Sequence, residues 1–124
     1  MTEREPEQPI ELLNLHAAIA AGGSGAILGR ESQDLDLNLV RFANGAGVGA
    51  HVNREVDVVV IALAGSGVVR IGSQELHLAV GQAVVIPKNV ERAIRSDDHG
   101  EFAYLTVHRR RARLMPGPGR PPRD

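Results

Sequence analysis

The sequence predicts an all-β protein built as an antiparallel sandwich or closed barrel. Three observations carry that expectation. Eight short runs are rich in β-branched residues, and several alternate apolar with polar residues at period two, as half-buried strands do. Turn residues separate the runs at short intervals. No stretch between them is long enough for the helix that must connect parallel strands, so a βαβ arrangement is excluded.

Residues 1–9 are acidic and proline-containing, with nothing to bury, and are expected to form a disordered arm. From Ile10 to Ala21, the residues Leu12, Leu13, Leu15, Ile19 and Ala20 suit either a short helix or an edge segment, ended by Gly22-Gly23-Ser24-Gly25. The expected strands then follow as Ala26–Gly29, Leu35–Phe42, Val56–Leu63, Val68–Ile71, Leu76–Val80, Ala83–Ile86, Arg92–Arg95 and Phe102–His108. Asn44-Gly45, Gly65-Ser66-Gly67, Gly72-Ser73 and Asp97-Asp98-His99-Gly100 read as the turns between them. The tail 109–124 opens with a cluster of arginines and continues in Pro/Gly-rich sequence that cannot pair in a sheet. At 124 residues the chain suits one domain, expected over 10–108.

Composition narrows the function. A net charge of −1 supplies no general attraction for nucleic acid or an anionic membrane. Aromatic residues make up 2% of the chain, too few for a base-stacking platform, so the basic cluster at 109–113 does not identify a nucleic-acid module. With no cysteine, disulfides, thiolate metal sites and a cysteine nucleophile are excluded. The acidic start lacks the features of a secretory signal, and no apolar run is long enough to span a bilayer; a cytoplasmic protein is expected. No serine elbow or phosphate loop is present.

Two segments in the middle of the chain resemble the cupin family. In the first, Gly45 is followed after five residues by His51, then Val52 and Asn53, and Leu63-Ala64-Gly65 closes the segment. Counting back from Gly65 sets Val58 at the family's glutamate position; the shorter spacer would set Asp57 there and end on Ala64. In the second, Gly81 is followed after five residues by Pro87, Asn89 replaces a glycine, Arg92 takes the position of the histidine and Ser96 that of the final asparagine. Asn at 89 is a mild replacement, since Asn tolerates the left-handed conformation that a turn glycine supplies. The resemblance covers about residues 26–108 and implies a jelly-roll β-barrel of the cupin type.

In typical cupins three imidazoles and a carboxylate hold a divalent metal inside the barrel. This chain keeps His51 alone of that set. Asn53 offers a neutral amide, Val58 nothing, and Arg92 a permanent positive charge with no lone pair to give. The resemblance therefore implies a degenerate metal site: no metal and no cofactor is expected. A guanidinium inside a partly apolar barrel suits a carboxylate or phosphate through charge-assisted hydrogen bonds. His51, Asn53, Arg92 and Asp57 are accordingly the candidate ligand-binding residues, for a small polar or anionic molecule. The plain alternative for Arg92 is a structural ion pair with Asp57 or Glu91. His108 shares a face with Phe102, Tyr104 and Thr106 by parity and could reach the pocket, although strand-end histidines more commonly face solvent. His77 is expected to face away from Leu76 and Leu78, and Glu55 with Asp57 to form a solvated loop edge. Catalytic residues are not identifiable. Two other functions remain: a metal-dependent dioxygenase or isomerase using His51 with substitute ligands, and a structural or interaction domain. A homodimer is the expected assembly, since pairing removes exposed sheet edges.

Overall fold

The computed structural model describes residues 10–111. The acidic arm 1–9 and the tail beyond residue 111 lie outside the described residues.

The chain opens with a short helix, α1 (Leu15–Ala20). Asn14 starts it: its side-chain oxygen accepts the Ala17 N–H at 3.0 Å, satisfying one of the donors that a helix start leaves open. Eight antiparallel strands follow: β1 (Gly25–Glu31), β2 (Leu35–Ala43), β3 (Gly47–Val52), β4 (Val58–Ile71), β5 (Gln74–Ala79), β6 (Ala83–Ile86), β7 (Glu91–Ser96) and β8 (Glu101–Arg109). Their order is β1-β2-β8-β4-β7-β3, with β5 and β6 also pairing with β4. The sheet curls into a jelly-roll barrel. Its first face holds β1, β2, β8, β6 and the start of β4; its second holds β3, β7, β5 and the end of β4.

Two strand expectations need correction. The runs expected at Val56–Leu63 and Val68–Ile71 form one 14-residue strand, β4. Gly65-Ser66-Gly67 is not a turn. It is where β4 leaves β8 for β5 and β7, next to an irregularity between Ala62 and Ala64. The second correction is β3, Gly-Val-Gly-Ala-His-Val, which has almost none of the bulk that marks a strand. It pairs with β7 because that close approach is sterically open. A Cβ on Gly47 would lie 2.0 Å from the Ile94 carbonyl oxygen.

The core is filled by inward side chains stacked in rungs that the strand register defines. Val40, Tyr104 and Ala62 stand side by side on β2, β8 and β4, and on the second face Ile94 and Leu76 both pair with Val69. Val40, Tyr104, Ala62, Ile94 and Val69 are fully or almost fully buried. The Phe102 and Tyr104 rings stack with centroids 5.0 Å apart.

A second apolar cluster lies outside the barrel. Ile19 of α1 packs on Leu39 and Ala103, with Leu15, Ala18, Leu28, Leu63 and Leu105 around it. The helix is too short to be stable alone, so it depends on this patch and on its cap. Asn14→Ala is expected to destabilise the protein by about 1 kcal/mol in urea denaturation, with the slope unchanged.

Candidate functional site

Polar side chains inside the barrel gather toward one end. On β7, Arg92 pairs with His51 of β3 on one side and Ile71 of β4 on the other, so all three side chains share the inward face. Arg92 is 1% exposed, the bulkiest of the fully buried side chains. Its Nη2 donates to the Pro87 carbonyl at 3.3 Å. Pro87 follows Ile86, which pairs with Val58, and Val58 pairs in turn with His108. Arg92 and His51 therefore reach the end of the barrel where β4 begins and β8 ends.

At that end, β2 and β8 bring in a further polar group. His108 is paired with Asp36, and Thr106 with Asn38; all four are buried. The Asp36 carboxylate accepts the Asn38 side-chain amide at 3.1 Å and lies 3.7 Å from His108 Nε2. The other ring nitrogen of His108 is 2.7 Å from the Arg109 carbonyl. His108 thus faces the interior, not solvent, and it reaches the same end as Arg92. Asp36 and Asn38 were not foreseen there. Parity was the available signal: they share a face with Val40, whose partner Tyr104 belongs to the core.

His51 is half-buried, and its Nδ1 lies 2.9 Å from the Gly49 carbonyl. In a neutral ring that contact holds the proton on Nδ1 and leaves the lone pair on Nε2. Asn53, buried just beyond β3, turns its side-chain oxygen back onto the chain, accepting the Glu55 N–H at 3.0 Å and the Val56 N–H at 3.2 Å. Its amide nitrogen is buried and has no hydrogen-bond partner among the described residues. Asp57 does not join this group. It is exposed on the rim, where its carboxylate accepts the Lys88 N–H at 2.9 Å. Beside it, the Asn89 N–H donates to the Asn53 carbonyl at 2.7 Å, and these bonds stitch the 53–57 loop to the 87–90 loop. Asn89 has φ of 68°, the left-handed conformation expected when Asn stands in for glycine. Glu55 is exposed in the same loop, and His77 faces outward.

These residues do not fit a divalent metal. Among those described, no three His, Cys, Asp or Glu side chains come together in a way that could hold one. Val58 is fully buried and apolar, the Asn53 oxygen is already used by two backbone donors, and Arg92 brings a cation into the interior. What the arrangement offers is two kinds of donor, a guanidinium and a side-chain amide, with the His51 imidazole beside them, enclosed by aliphatic walls of low polarity. In such surroundings a charge-assisted hydrogen bond is stronger than in water. A separate groove of about 300 Å³ lies on the outside of the second face, floored by Gly49 and Ala93 and walled by Arg70 and Arg95; it includes none of the predicted residues.

The comparisons with known proteins agree with this architecture. A family model described as cupin domain matches residues 38–108. A solved structure from Thermus thermophilus superposes with a TM-score of 0.71 at 24% identity, covering 83% of this chain and 100% of that one. One from Neisseria meningitidis gives 0.69 at 21% identity, covering 81% and 100%. A protein from Shewanella frigidimarina described as containing a cupin-2 domain gives 0.66 at 21% identity, covering 80% and 95%. At these identities the likeness is one of fold. No curated protein matched the chain. Among the described residues, no helix is long and apolar enough to cross a membrane.

Proposed function

The chain belongs to the cupin family, and from that premise we propose that its barrel binds a small anionic molecule without the family's usual metal centre. The carrying observation is Arg92, a fully buried guanidinium on the inward face beside His51. A guanidinium presents its donors in a fork that matches a carboxylate or phosphate, and enclosure in low-polarity surroundings strengthens such charge-assisted hydrogen bonds. Asn53 strengthens the reading, since its buried amide N–H is a donor suited to a carboxylate or phosphate oxygen. His51 adds a third polar contact, and Asp57 holds the rim loop in place. The same reading takes residues 10–108 as one cupin domain working in the cytoplasm.

A panel of small carboxylates and phosphates, scored by thermal shift, tests this. A true ligand at about a hundredfold above its Kd is expected to raise Tm by roughly 10 °C. Arg92→Met keeps the volume and removes the charge; measured against its own unliganded melt, it should lose the ligand shift. Failure of every compound, or an equal shift in Arg92→Met, would overturn the reading. So would near-stoichiometric metal in protein purified without chelators, if it is lost in His51→Ala.

A further inference from the structure

The groove between Arg70 and Arg95, on the outer side of the second face, is built by strand register. Two outward rows cross the sheet there. One runs through His77, Val68, Arg95 and Gly47, on β5, β4, β7 and β3 in turn. The next runs through Glu75, Arg70 and Ala93 and then meets β3 at Gly49-Ala50. Both rows are opposite in parity to Val69 and Ile94, which belong to the core. At the end of the second row a bulge in β3 sets Gly49 and Ala50 together against the single Ala93. The hollow opens over Ala93 for that reason. A Cβ added to Gly49 would meet nothing within 4 Å, so the space above this residue is empty of protein.

Two guanidiniums border the hollow. Arg70 pairs directly with Ala93, and Arg95 stands two residues further along β7 on the same side. Diagonal neighbours on adjacent strands lie about 7 Å apart, close enough for two long side chains to close on one anion and for their charges to repel without it. Arg70 is exposed and makes no hydrogen bond or ion pair among the described residues, although Glu75 is its cross-strand partner. Arg95 uses Nη1 alone, 3.3 Å from the Ser96 carbonyl and 3.4 Å from the well exposed Asp98 carboxylate. An ion pair that exposed holds its partners weakly. The other donors of both side chains are open to a ligand.

We propose that this groove is a second binding site, outside the barrel, for a small phosphate monoester that carries a hydroxyl group. A phosphate monoester brings close to two negative charges and three acceptor oxygens, enough for a fork from each arginine. Glu75 lines the same groove and, when ionised, only accepts hydrogen bonds, so it disfavours a second acidic group and receives the hydroxyl. The backbone of β3, bare of bulk at Gly47 and Gly49, lets the ligand lie close to the sheet. The volume of about 300 Å³ limits the occupant to a small molecule. This site is independent of Arg92, whose side chain is on the opposite side of β7.

Titration of the isotope-labelled protein with glycerol 3-phosphate, followed by backbone amide signals, tests the proposal. Shifts should centre on Gly49, Ala93, Arg70 and Arg95 and should saturate. Arg70→Gln and Arg95→Gln should each weaken binding at least about tenfold, the loss of one charge-assisted contact. Gly49→Leu should fill the hollow and remove binding while the protein still unfolds cooperatively in urea. Glu75→Gln should erase the preference for glycerol 3-phosphate over methyl phosphate, which lacks the hydroxyl. No saturable shift up to about 10 mM would overturn the proposal, since that is the weakest affinity a metabolite site would use. So would equal affinity for inorganic sulfate, undiminished binding in Arg70→Gln or Gly49→Leu, or shifts centred on Arg92 and Asn53. That last outcome would place the compound inside the barrel; the others leave the interior reading as it stands.

Discussion

Gly65→Ala is expected to abolish folding, or to leave a protein destabilised by roughly 4 kcal/mol or more, a loss reached only when a mutation creates a severe clash or strain. Two effects act together at this residue. Its φ of +64° lies in the left-handed region, where a side chain is strained. A Cβ built there would also stand 1.7 Å from the Glu101 carbonyl oxygen and 2.6 Å from its carbon. These are backbone atoms of β8, the strand bonded to β4 at this point, and no rotamer change can move them aside. Soluble expression and urea denaturation report the outcome; near-parental stability would show that β4 does not cross between the two faces of the barrel as described.

The second large effect lies two residues on and couples two positions. Phe102 is fully buried, stacked on Tyr104, and Phe102→Ala should lower stability by about 3–5 kcal/mol through lost burial and the cavity left behind. Its ring also fills the space beside Gly67. A Cβ on Gly67 would come within 2.2 Å of the ring and 2.5 Å of the Arg95 carbonyl oxygen. Gly67→Ala is therefore severe in the parent and less severe in Phe102→Ala, where the ring is gone and the Arg95 contact remains. The double variant should be more stable than the sum of the two single losses by at least about 1 kcal/mol, measured as a double-mutant cycle in urea. Simple additivity would mean that the ring and the glycine do not share this space.

The strand content of the fold was legible, since β-branched runs and turn residues at short spacing leave few alternatives. What sequence reading misplaced has a common cause: a glycine marks either a turn or a close approach of backbones, and the residue type does not say which. Gly65-Ser66-Gly67 reads as a turn and is a crossing, while Gly47 and Gly49, outside every expected strand, lie in β3. In the site, Arg92 and His51 were found because the motif framework numbers the positions, and spacing survives the loss of ligands. Asp36 and Asn38 were hidden by the pattern Leu-Asp-Leu-Asn-Leu, in which ordinary alternation assigns the leucines to the interior. Here the assignment is reversed. α1 makes the outer side partly apolar, so Leu39 is buried beneath the helix while Asp36 and Asn38 enter the barrel. A short helix, itself faint in the sequence, decided which side of that strand was inside.

One consequence follows from the length of β4. Its first residues are bonded to β6 and β8 and its last to β5 and β7. Fraying either half of the molecule therefore disturbs a segment that the other half also needs, which discourages partial opening and favours all-or-none melting. The wall around Arg92 then persists only while the whole molecule stays intact. Loss of overall stability should reach the interior as one event, with no intermediate in which the pocket loosens on its own.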